Sequence, residues 1–174
     1  MGYDDRYGGS NRSAHSYRFK NEMKLSNNFT LEELTKSQEA IRLGIPNEPN
    51  QDHIFNLQLL CQYILQPVRD NFNLPMTVSS GYRSAELCER IGSSSKSQHT
   101  RGEAADFEVF GLSNKDVSDW IVNNLDYDQC ILEFWTPDEP NSGWIHCSYS
   151  AAKNRRQYLK ASKQDGKIIY SPLI

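Results

Sequence analysis

The stretch Ser95–Phe110, SKSQHTRGEAADFEVF, decides how this chain is read. Its first half continues a polar run, SSSKSQ (93–98), that predicts a loop. Its second half alternates: Ala105, Phe107 and Val109 fall on one face of a predicted strand, and Ala104, Asp106 and Glu108 on the other. His99 stands in the loop, with six residues between it and Asp106. By itself the pair is either a polar loop running into a strand or one part of a metal site. Gly102 and Ala104 are small enough to leave room around an ion.

A later segment offers the missing part. WIHCSYS (144–150) alternates as a second strand, with Ile145, Cys147 and Tyr149 on one face and Trp144, His146 and Ser148 on the less apolar one. A hydrolytic zinc site needs three protein ligands, commonly two histidines and a carboxylate, with one position left open. His99, Asp106 and His146 make such a set if the two strands lie side by side and antiparallel.

The rest of the chain supplies a scaffold. Thr30 with Glu33 in NFTLEEL forms a capping box for a helix that carries Leu31, Leu34 and Ile41 on one face and ends at Gly44 and Pro46. Between Asp52 and Asp70, Ile54, Leu57, Cys61, Ile64, Leu65 and Val68 recur at helical spacing, and Pro67 is expected to kink or shorten the last turn. MTVSS (76–80) predicts a strand and SAELCERIG (84–92) a short helix capped by Ser84. A further helix from Ser113 to about Asn124 buries Val117, Trp120 and Ile121. QCILEFW (129–135) predicts a strand joined to WIHCSYS by a loop rich in Pro, Asp, Asn and Gly. The strands follow one another too closely for βαβ crossovers, which argues an α+β fold with a small, mainly antiparallel sheet flanked by helices.

At 174 residues the chain suits one domain, read here as residues 20–174 behind a flexible tail, 1–19, that has almost no aliphatic side chains. His15 lies in that tail and is given no role. A formal net charge of −3 supplies no global reason to bind nucleic acid. The acid-free run Lys153, Arg155, Arg156, Lys160 and Lys163 is read as a solvated face. Cys61, Cys88, Cys130 and Cys147 lack C-x-x-C spacing and are read as reduced core residues. No stretch reaches the length of a membrane span, and no apolar segment near Met1 suits a signal peptide. Synthesis in a cytoplasm is expected, and the chain is read as a monomer.

Ser97-Gln98-His99-Thr100-Arg101-Gly102-Glu103-Ala104-Ala105-Asp106 fits an S-x-H-x-x-G-x-A-x-D pattern, Trp144-Ile145-His146 fits W-x-H, and SSGYRS (79–84) contains S-G-x-R-S. In that order the three motifs resemble those of the zinc D-alanyl-D-alanine carboxypeptidases, peptidoglycan peptidases that share the hedgehog/DD-peptidase fold. The resemblance covers roughly residues 30–150. It implies Zn²⁺ on His99, Asp106 and His146, and an arginine, Arg83, that meets a carbonyl or carboxylate of the substrate. Ser97 either hydrogen-bonds the substrate peptide or shapes the loop, and Trp144 either lines the cleft or belongs to the core.

Several branches of that family carry a glutamate three residues before the last histidine, where this chain has Gly143. Glu133, on the neighbouring predicted strand, is the alternative general base; its other reading is a partner that orients a metal-bound imidazole. The resemblance implies a zinc peptidase acting on peptide stems of bacterial peptidoglycan, as carboxypeptidase or endopeptidase; a short chain in which no export signal or wall-anchoring repeat is read is what a phage lysis or virion-associated hydrolase is expected to look like. The missing glutamate at position 143 favours the alternative, a zinc-binding module of the same fold without turnover.

Overall fold

The structure, a computed structural model, describes residues 23–173; the tail 1–19, His15 and the start of the domain at residue 20 lie outside the described residues. The chain enters through two short helices, α1 (Leu31–Thr35) and α2 (Gln38–Leu43). The single helix read from the sequence is broken because Lys36 takes an extended backbone and Ser37 starts a new cap, its hydroxyl accepting from the Ala40 amide at 3.2 Å. The break rotates the second helix. Ala40 is buried there, while Ile41, expected in the core, is 70% exposed.

The longest helical stretch comprises α3 (Gln51–Leu60), a π turn (Cys61–Leu65) and α4 (Gln66–Phe72). All six apolar residues read from its periodicity are buried. Pro67 does not shorten it. The π turn comes directly before, where the Gln66 amide reaches back to the Cys61 carbonyl, and this widened turn takes up the proline's missing donor and ring bulk. Asn73 then closes the helix with positive φ.

Next come β1 (Met76–Ser80), α5 (Ala85–Arg90), a 3₁₀ turn (Gln98–Arg101) and β2 (Ala104–Val109). After α6 (Asn114–Asn124) follow β3 (Gln129–Glu133), β4 (Trp144–Ser148), β5 (Gln157–Gln164) and β6 (Lys167–Pro172). The strands form one sheet in the order β1-β2-β4-β3-β5-β6, and β3–β5 is its parallel pair; the other four pairs are antiparallel. The α+β reading with a mainly antiparallel sheet holds.

The β5–β6 hairpin is an addition to that reading. Its turn is Asp165-Gly166, both with positive φ, the strongest short hairpin signal a sequence carries. The basic character of this region masked the signal. Arg155 pairs with Asp128 and Arg156 with Asp126, while Lys160 lies over the Trp135 ring, so much of the basic run is engaged locally.

One face of the sheet carries Ala105, Phe107, Cys130, Leu132, Ile145 and Cys147 into the main core against α3, the π turn and α6. In α6, Val117 and Ile121 are fully buried, whereas Trp120 is partly buried and meets Phe72 edge-on. The four cysteines are free and buried, and burial pushes the Cys61 thiol up to about 12, far from a reactive thiolate. Among the described residues no helix is long and apolar enough to cross a membrane. The other face of the sheet carries the polar residues discussed next.

Candidate metal centre

Register alone brings two of the predicted ligands together. Asp106 on β2 stands directly opposite His146 on β4, so their side chains share a face. His99 reaches them from the 3₁₀ turn rather than from an irregular loop. Ser97 caps that turn, its hydroxyl facing the His99 amide at 3.4 Å, which is how the structure places this predicted substrate residue.

His99 Nε2 lies 3.2 Å from His146 Nδ1 and 3.2 Å from Asp106 Oδ1, and His146 Nδ1 lies 2.9 Å from Asp106 Oδ1. Zinc bonds of 2.0–2.1 Å in a tetrahedron separate neighbouring ligand atoms by about 3.3 Å. The triangle of donors is therefore close to the size that such an ion requires, and the donor set, two imidazoles and a carboxylate, is the one zinc favours. No other group of three such side chains was found among the described residues.

The surroundings fix this arrangement. His99 Nδ1 faces the Gly81 carbonyl at 2.7 Å; as donor there it leaves the Nε2 lone pair for the centre. Burial pushes the His99 imidazole down, toward the neutral form a ligand needs. Asp106 is buried too, which by itself opposes ionisation, but contacts with His99 and His146 hold its carboxyl well below the usual range. Arg83 Nη2 donates to Asp106 Oδ2 at 3.0 Å, leaving Oδ1 for the centre, and the Arg83 amide donates to the His99 carbonyl at 3.2 Å. The predicted substrate arginine thus also orients Asp106. It lines a cavity of about 590 Å³ along the outer edge of β1.

Glu133 sits one row along the same face. Its cross-strand partner is Trp144, and Ile131, two residues earlier, stands opposite His146. Burial raises the Glu133 carboxyl and the Asp106 charge adds to the effect, against smaller pulls from His146 and Arg83. A carboxylate with raised affinity for protons beside a metal centre is suited to carry them. Directly after it Phe134 takes φ 58°, an uncommon conformation for a bulky residue, and packs near Trp144 with ring centroids 5.3 Å apart. The Trp144 indole N–H is buried without a protein partner.

Position 143, three residues before His146, is closed to a glutamate. A β-carbon there would come within 1.8 Å of the Glu133 carbonyl oxygen, and the backbone has φ +64°. No side chain fits, glutamate included. The strand end that carries Glu133 occupies the space.

Sequence reasoning missed the supports around the site. Gln98 Nε2 donates to Asp128 Oδ2 at 2.8 Å, and Arg155 binds the same buried carboxylate through its guanidinium and its amide, tying the 3₁₀ turn to the start of β3. Asn114, buried at the start of α6, donates from Nδ2 to the carbonyls of Ser142 and Gly143. Neither residue belongs to a recognisable motif. Gly81 does: it lies in the S-G-x-R-S segment, where its carbonyl does the work.

Two imidazoles and a carboxylate, with a second carboxylate on the neighbouring strand, form a group that could hold a metal ion. The chain belongs to the peptidase M15 family, whose sequence model, described as Peptidase M15, matches residues 27–148. The matched span contains Arg83, His99, Asp106, Glu133 and His146, and the β5–β6 hairpin follows it. A search of curated proteins found no match to this chain.

Proposed function

We propose that this protein is a zinc-dependent peptidase that cleaves an amide bond in the peptide stems of bacterial peptidoglycan, as carboxypeptidase or endopeptidase. The observation that carries the reading is the His99, Asp106 and His146 triangle, of tetrahedral dimensions, with Glu133 on the same sheet face.

His99, Asp106 and His146 would hold the ion. When bound, zinc supplies Lewis acidity toward the scissile carbonyl and makes water a nucleophile near neutral pH. Glu133 takes a proton from the attacking water and passes it to the leaving amine, a two-way task that its raised proton affinity favours. Arg83 holds Asp106 through Nη2 and pairs with a substrate carbonyl or carboxylate through Nη1. Trp144 walls the cleft beside Glu133, and Ser97 lies at its rim next to His99.

The rival reading is a zinc-binding module without turnover, resting on Gly143; a carboxylate from the neighbouring strand, Glu133, is what favours the enzyme over it. The test is incubation of the zinc-loaded protein with purified peptidoglycan, following new amino groups and free D-alanine. Release by the natural sequence, lost in both His146→Ala and Glu133→Gln, is the expected result. No release from zinc-loaded natural protein refutes the enzyme.

A further inference from the structure

The β5–β6 hairpin lies beyond the family match, yet it extends the same sheet and the same face. Cross-strand register gives one row of neighbours: Trp144 on β4, Glu133 on β3, Ala161 on β5 and Tyr170 on β6. Partners in register point to the same face, so Tyr170 is presented on the side that carries Asp106, His146 and Glu133. With strands about 4.8 Å apart, its Cα lies roughly 10 Å from that of Glu133.

The residue between them is alanine, whose methyl is the smallest side chain of the row. Ala161 is fully buried although it points to the polar face, so larger neighbours cover it. Tyr170 itself is 54% exposed, accessible to a ligand.

We propose that Tyr170 is a substrate-facing residue of the cleft, its phenol hydroxyl donating a hydrogen bond to the stem peptide on the side of the metal centre opposite Arg83. Arg83 approaches Asp106 from the β1 side of the sheet, whereas Tyr170 comes from the β6 side. A peptide laid across the strands meets the guanidinium at one end and the phenol at the other.

The electrostatics agree with this placement. Burial raises the phenol's proton affinity, and the charges that act on it are Glu133 and then Asp106, the cleft's own carboxylates rather than Asp165 in the hairpin turn. The phenol is thereby kept in the neutral form that donates.

The inference rests on the peptidase reading but is tested separately from it. In the turnover arm, zinc-loaded Tyr170→Phe, which keeps the ring, is compared with the natural sequence on a synthetic stem pentapeptide. A hydrogen bond to bound substrate predicts KM raised about 5- to 10-fold with kcat within twofold and zinc content and melting temperature unchanged. In the binding arm, the affinity of Glu133→Gln for the same peptide is compared with that of Glu133→Gln carrying Tyr170→Phe, again with a loss of about 5- to 10-fold expected. Absence of turnover in the natural protein counts against the peptidase reading and leaves the binding arm to decide. Equal affinity in that arm, including equal failure to bind, overturns the role of Tyr170, as does an unchanged KM in an active enzyme.

Discussion

Replacing Gly143 by alanine tests the idea that this position is barred to side chains by the strand that presents Glu133. Two effects add. The left-handed backbone at φ +64° costs an L-residue about 1–2 kcal/mol, and the new methyl falls 1.8 Å from the Glu133 carbonyl oxygen, a backbone atom that moves only with its strand. Overpacking of this kind costs about 1–3 kcal/mol, so Gly143→Ala should lose about 2–5 kcal/mol. With a urea slope of about 2 kcal/mol per molar, the unfolding midpoint falls by roughly 1–2.5 M. Gly111→Ala is the internal control: φ is +78°, but no atom lies within 4 Å of the added methyl, so only the conformational part applies. Urea unfolding of both variants, with peptidoglycan turnover measured beside it, separates the collision from the backbone preference. Equal midpoints for the two variants, or a Gly143→Ala enzyme with unchanged turnover, would refute the reasoning.

Other outcomes follow from the same geometry. Glu133→Gln should retain zinc and lower kcat about 10²- to 10⁴-fold, measured as amine release. Because folding raises the Glu133 carboxyl, its ionised form is disfavoured in the native state, and stability present at low pH is lost as pH rises through the raised value. Metal-free Glu133→Gln should therefore melt above the natural protein at pH 7–8, with the gap closing as pH falls through the ordinary carboxylate range; a gap independent of pH would contradict this. Arg155→Ala leaves the buried Asp128 carboxylate without its half-exposed guanidinium partner and should cost about 1–3 kcal/mol in chemical unfolding. Chelation should lower the melting temperature of the natural protein, and zinc should restore it. His99→Ala should show neither response in the same thermal scans.

Much of the site was legible because its chemistry is tied to spacing. Strand alternation assigned Asp106 and His146 to the less apolar faces, and the register then set them opposite each other. Alternation also put Glu133 on the face of Ile131, which proved to be His146's neighbour. What escaped depends on contacts between distant segments. Gln98, Asp128 and Arg155 meet only in the folded chain, and each is an ordinary polar residue in sequence. Ile41 fits a helical stripe until Ser37 restarts the helix, a local competition between continuing and recapping. Pro67 in a helical pattern predicts a kinked or shortened last turn, but the π turn before it is invisible to periodicity. The Asp165-Gly166 turn carries a hairpin signal in sequence, but the strand of basic and polar residues before it lacks a clear apolar alternation.

The most direct test of the central claim is mass analysis of a single stem peptide after incubation with the zinc-loaded natural protein. A catalytic centre of His99, Asp106, His146 and Glu133 predicts two fragments whose masses sum to the peptide plus one water, and none of them with Glu133→Gln. An intact peptide after incubation with protein shown to carry zinc, or the same fragments from both proteins, would contradict it.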